Sequence, residues 1–144
     1  MIFDPLQFLR DIKSVTISTT SKGLPVSRII DVMLYEEKTL YFITARGKHF
    51  YHQLKENPNI AITAMSQEYK TVRLKGVIEF TQRKYIDKIF LENPILYDLY
   101  PGEKRKILEP FFLKRGIGEI FDLSAHPPKR ERFGFGGLFA PEAG

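Results

Sequence analysis

The sequence predicts a mainly β domain with flanking helices, built as an antiparallel barrel or sandwich. Three observations carry that expectation. Segments of period-two alternation follow one another through hairpin-length turns, the stretches of helical period are short, and Gly76 interrupts the segment TVRLKGVIEF where a sheet would bend.

Asp4, Pro5 and Gln7 open the first helix: Asp caps, Pro occupies the first turn, and Leu6, Leu9 and Ile12 follow at helical spacing. From Val15 the period becomes two, with Val15, Ile17 and Thr19 facing one way, and Ser21, Lys22 and Gly23 supply a turn. The second strand spans about Pro25 to Tyr35 and places Arg28 on the face of Ile30 and Val32. Glu36 to Lys38 turn the chain into a third strand, Thr39 to Ala45, which ends at Arg46, Gly47 and Lys48. A short helix starts there, Asn57 and Pro58 stop it, and Asn59 to Ala64 and Thr71 to Phe80 form two more strands around the polar loop Ser66 to Lys70.

Thr81 is placed to cap a helix over about Gln82 to Glu92, with Tyr85, Ile86, Ile89 and Phe90 as its apolar stripe. Ile95 to Tyr100 and Glu103 to Lys114 read as further short helices, broken by Pro101, Gly102 and Pro110. Gly118 to Ser124 is a last strand. The chain, residues 1–144, reads as one domain with an irregular tail from about residue 125, because KRERFGFGG is too glycine-rich for regular structure.

Composition narrows the function classes. Hydrophobic residues make up 43% and charged residues 27%, with no long apolar run, which fits a soluble globular protein rather than a membrane one. Asp4 and Arg10 interrupt the only N-terminal apolar stretch, so a cytoplasmic protein is expected. Zero cysteines remove disulfides, thiolate metal sites and a cysteine nucleophile. A net charge of +5 favours anionic partners, and composition alone does not separate a phosphate pocket from a broad basic surface.

The stretch LYFITARGKHFYHQLKENPNIAI, Leu40 to Ile62, concentrates the chemistry. A helix start that follows glycine and is flanked by Arg46 and Lys48 suits an anion, since its orphan N–H groups and macrodipole both favour negative charge. Thr44 and Arg28 would converge on the same group; the plainer alternative is a solvated basic turn. His49 and His52 share a helix face but lack a third ligand, so no metal site is assigned. No nucleophile elbow and no catalytic carboxylate pair is recognisable. In the tail, basic residues interleaved with Phe133 and Phe135 suit stacking on single-stranded nucleic acid, closure over a cofactor, or a disordered basic arm.

GLPVSRIIDVML on the second strand, together with YFITARGKHFYHQLKENPNIAI, resembles the pyridoxamine 5′-phosphate oxidase-like flavoproteins over roughly Val15 to Phe80. The resemblance is to the small bacterial members that include the nitroimidazole-resistance group. It implies a six-stranded antiparallel split β-barrel of Greek-key type and FMN bound at the interface of a homodimer. It also implies that Arg28, Thr44 and Lys48, with Arg46 beside them, hold phosphate or ribityl groups, that Ile29 and Ala45 offer backbone groups to the flavin, and that Arg73 lies near the cofactor. Tyr69, Phe133 and Phe135 are the expected substrate lining. The looser KRERFGFGG replaces the C-terminal arginine and histidine substrate motif of the true oxidases, so the vitamin substrate does not carry over.

The function expected from this reading is an FMN-dependent oxidoreductase with a small-molecule redox substrate and NADH or NADPH as candidate donor; no catalytic side chain is needed when the flavin supplies the redox chemistry. A non-catalytic binder of flavin, deazaflavin or tetrapyrrole is the alternative. Nucleic-acid binding ranks last because the positive charges are dispersed along the chain.

Overall fold

The computed structural model describes residues 3–136. Helix α1, Pro5–Ile12, starts as its residues require: Asp4 Oδ1 accepts from the N–H groups of Leu6 and Gln7 at 3.0 and 3.2 Å. Leu6 and Leu9 are its buried face. Strands β1 (Ser14–Ser21) and β2 (Leu24–Asp31) then pair as an antiparallel hairpin, with Lys22 and Gly23 both at positive φ in the turn.

The expected second strand to Tyr35 is divided. β2 ends at Asp31, Val32 turns inward to bond Lys13 O, and Leu34–Glu36 form a separate short strand, β3, paired to β4 (Thr39–Ala45). Helix α2, His49–Glu56, follows, and then β5 (Asn59–Met65) and β6 (Lys70–Phe80). Asn57 ends α2 in extended geometry before Pro58; its side chain joins Thr20 Oγ1 to the backbone N–H of Asn59. After α3 (Lys84–Glu92) and the short α4 (Ile95–Leu99), a 3₁₀ turn at Gly102–Ile107 leads into β7, Leu108–Asp122.

β7 is the spine of the sheet. Its first residues, Leu108 to Phe112, pair with β4, its far end pairs with β8 (Lys129–Phe135), and β6 runs along its other edge. The eight strands lie in the order β2-β1-β5-β6-β7-β4-β3, with β8 beside β7, and neighbours are antiparallel. Curling brings residues from both ends of this order, Ile17 of β1 and Phe42 of β4, into one core closed by α1 and α2. A second core, on the outer side of β4 and β7, holds Ile86, Ile89, Phe90 and Leu96 against Tyr41, Ala45 and Leu108.

Three expectations are corrected here. The helix expected over Glu103 to Lys114 is a 3₁₀ turn followed by strand, with Pro110 accepting from Thr81 N–H where β7 parts from β6. The tail expected to be irregular forms β8, because Phe133 and Phe135 alternate inward over Gly118 and Gly116. A Cβ at Gly118 would stand 2.7 Å from Phe133 Cζ and 2.4 Å from Arg73 O, so only glycine admits the ring. The remainder of that tail, from residue 137, lies outside the described residues. With β3 and β8 added, the described residues hold eight strands rather than six.

The bend expected at Gly76 is present. β6 and β7 lose register between Val77 and Ile78, where Lys114 is the extra residue on β7. The bulge reverses which residues face inward: Leu113 before it, Gly116, Gly118 and Ile120 after it. Gly76 lies opposite Gly116, where a Cβ would come within 2.4 Å of Arg115 O.

Candidate functional site

The site is built around the start of α2. Period two places Val15, Ile17 and Thr19 of β1 on the inner face of the sheet, and register places Arg28 opposite Ile17 on that same face. Arg28 therefore turns into the curled sheet rather than out to water. Its Nη1 donates to Thr19 Oγ1 at 3.1 Å, its Nη2 donates to Gln53 Oε1 at 2.6 Å, and its guanidinium lies 4.3 Å from the centre of the Phe50 ring. Both hydrogen-bond partners are neutral, and among the described residues no carboxylate forms an ion pair with it. Partial burial lowers its pKa from the ordinary value, yet a guanidinium keeps its proton. The result is a fixed, uncompensated cation with donors to spare.

Helix α2 presents its N-terminus beside this cation. Lys48 occupies the N-cap position with extended backbone, and no side chain caps the helix. Lys48 N–H is taken by Ala45 O at 3.0 Å, so the orphan donors are those of the first turn beyond it. The Lys48 side chain is exposed and makes no ion pair among the described residues. Thr44 stands at the end of β4 on the inner face with Leu40 and Phe42; it is 4% exposed, and its Oγ1 has no hydrogen-bond partner among the described residues. A buried hydroxyl in that condition is destabilising unless something supplies its partner. Thr44→Val is accordingly expected to raise the stability of the ligand-free protein by about 1 kcal/mol, measured by urea unfolding.

The remaining predicted residues fall in three places. Arg46 is turned toward the 3₁₀ turn: its Nη2 donates to Lys106 O at 2.6 Å, and Glu109 lies 3.6 Å from its Nη1. Ala45 points into the second core, and Ile29 points outward from the edge strand β2, 67% exposed. Arg73 lies on the outer face of β6, bound to Glu119 at 3.0 and 3.1 Å, and β7 runs most of its length between Ala45's partner Leu108 and Arg73's partner Glu119. Tyr69 is exposed at φ 65° in the turn at that far end. Phe133 and Phe135 stack at 6.2 Å and pack against the main core. Arg28 thus contacts α2 through Phe50 and Gln53, Lys48 stands at the start of that helix and Thr44 at the end of the strand before it, while Arg73 and Tyr69 lie toward the far end of β7 and Phe133 and Phe135 on β8.

Sequence reasoning missed Gln53 and Thr19, the pair that orients Arg28. A signal existed for Thr19, a polar residue in phase with Val15 and Ile17 on a buried face. Gln53 offered none, because its contact partner is remote in sequence. The basic tail residues are less free than the sequence suggested: Arg130 donates to Glu119 Oε1 at 2.6 Å and covers the Phe121 ring.

The family profile described as Pyridoxamine 5′-phosphate oxidase matches residues 6–105, which includes the whole α2 cluster. The chain belongs to the pyridoxamine 5′-phosphate oxidase family. Several solved structures share its fold. A NimC/NimA family protein from Clostridium acetobutylicum superposes with a TM-score of 0.80 at 21% identity, covering 90% of this chain and 89% of the other. A pyridoxamine 5′-phosphate oxidase-related, FMN binding protein from Nostoc punctiforme gives 0.63 at 14% identity, with 95% and 92% covered. A putative pyridoxamine 5′-phosphate oxidase from Listeria innocua gives 0.63 at 16% identity, with 83% and 95% covered. No protein of curated function matches the chain. The split-barrel architecture expected from the resemblance is therefore the family's own, and no helix among the described residues is long and apolar enough to cross a membrane.

Proposed function

We propose that this member of the pyridoxamine 5′-phosphate oxidase family is an FMN-dependent oxidoreductase acting on a small molecule. The observation that carries the proposal is Arg28, an inward-facing guanidinium held by Thr19, Gln53 and Phe50 without a carboxylate, next to the uncapped start of α2. An arginine fork, a lysine and free helix amides match the chemistry of a phosphate monoester. The buried Thr44 hydroxyl is the polar group that a bound ligand would satisfy. FMN fits these donors: Arg28 and Lys48 would hold its phosphate and Thr44 an adjoining oxygen. When bound it supplies the hydride and electron chemistry that no side chain among the described residues is arranged to perform.

A homodimer belongs to the same reading. The outer face of the sheet presents Ile29 on β2 and Ala61, Thr63 and Met65 on β5, the two strands that flank β1, with Ile29 67% and Met65 56% exposed. Small and apolar side chains in that number suit burial against a second copy. Arg73 lies on the same face, so it would reach a flavin held at Arg28 and Lys48 only from the partner subunit, and the partner would likewise complete the substrate side of the ring.

Anaerobic mixing of the FMN-loaded protein with NADH or NADPH tests turnover. Bleaching of the flavin absorbance, followed by its return on adding a quinone or nitroaromatic acceptor, is the expected result. Retention of oxidised flavin with every donor and acceptor pair would assign the protein to cofactor binding without catalysis.

A further inference from the structure

A second cluster of cations lies apart from the α2 site. Where α3 begins, it faces the 3₁₀ turn across an open cleft of about 600 Å³ lined by Arg83, Lys84, Asp87, Glu103, Arg105 and Lys106. Four cations thus face two carboxylates. Glu103 pairs with Lys106, while no carboxylate among the described residues forms an ion pair with Lys84 or Arg105.

The arginines are positioned in different ways. Arg83 is structural: it donates to Leu108 O at 2.6 Å and to Arg105 O at 3.2 Å, which ties α3 to the turn. Arg105 is held by stacking instead, its guanidinium 4.6 Å from the Phe90 ring centre and 5.4 Å from that of Tyr97. Its Nε is buried and has no hydrogen-bond partner among the described residues. Aromatic faces fix the plane of a guanidinium without neutralising it, leaving a pre-oriented planar donor for an oxyanion. A buried charged donor without an acceptor is costly, and an anion in the cleft would relieve that cost.

We propose that this cleft is a second anion site, separate from the one at α2, and that it takes a phosphate-bearing dianion. Two charges fit because two lining cations, Lys84 and Arg105, are left without an ion pair among the described residues, Glu103 being taken by Lys106 and Glu109 lying 3.8 Å from Arg83. Arg105 provides the directional contact, and Lys84 provides mobile charge at the rim. The proposal does not depend on flavin at α2.

Titration of the ¹⁵N-labelled full-length protein with inorganic pyrophosphate, followed by amide shifts, tests it. Saturable shifts are expected at residues 83–87 and 102–106, and they should persist in Lys48→Ala, which removes charge only from the α2 site. Arg105→Gln should weaken the apparent affinity at the cleft at least tenfold. Because Arg105 also packs on two rings, Lys84→Gln serves as the second variant: it is exposed, should leave thermal unfolding unchanged, and should weaken binding several-fold. Shifts confined to residues 44–53, no shifts at all, or cleft shifts unchanged by both cleft variants would overturn the proposal.

Discussion

Phe111→Ala is expected to cost about 3 to 5 kcal/mol of folding stability, the range for deleting a buried phenylalanine from a packed core. Phe111 is fully buried and is the hub of the aromatic cluster: it stacks on Phe42 at 5.2 Å, meets Phe50 edge-on at 5.9 Å and contacts Phe80 at 5.8 Å. Each of those rings comes from a different element, β4, α2 and β6. The cavity left behind cannot collapse without moving α2, because Phe50 and Leu54 are the buried face of that helix. Phe50 also floors the Arg28 guanidinium, so the same substitution should weaken FMN binding even in protein that remains folded. Chemical denaturation monitored by tyrosine fluorescence reads the stability loss, and flavin titration below the transition reads the second effect. A loss under 1 kcal/mol would mean that the two halves of the main core are not joined at this ring.

The second large effect belongs to the site. In the proposed site Arg28 and Lys48 would each contribute one charge-assisted phosphate contact, worth about 1.5 to 3 kcal/mol. The double variant Arg28→Gln, Lys48→Ala should therefore lose roughly 3 to 6 kcal/mol of FMN affinity if the two contacts add, or about two to four orders of magnitude in Kd. The folded state should suffer little from Lys48→Ala, since that side chain is exposed and pairs with nothing described. Arg28→Gln keeps a polar group against Thr19 and Gln53, which limits the damage there. Equal losses of affinity and stability would point to a scaffolding role for both residues.

How far the sequence revealed this site depends on which contacts are local. Arg28 was legible because period two puts it in phase with Ile30 and Val32, and both pack against the main core as that phase requires. The start of α2 just after Gly47 and Lys48 was legible because glycine, lysine and the first helical residues are adjacent in sequence. What period and adjacency do not encode is pairing. β7 was misread at its start because it separates two cores: Phe111 and Leu113 face one, Leu108 and Phe112 the other. A strand buried on both faces shows no polar alternation and imitates a helix broken by proline. β8 was misread for a related reason, since its glycine-rich, basic sequence becomes a strand only against Gly116 and Gly118 of β7. Arg73 was expected near the cofactor on resemblance, and the single chain places it at the opposite end of β7 from the α2 cluster. That separation is what ties the site proposal to the dimer proposal.

Titration of the purified, cofactor-stripped protein with FMN, followed by its visible absorption, shows directly whether the α2 cluster holds a flavin. A saturable perturbation of the flavin bands with one FMN per chain is expected, lost on replacing Arg28 and Lys48 together. Flavin spectra that stay identical to those of free FMN at every protein concentration would contradict it.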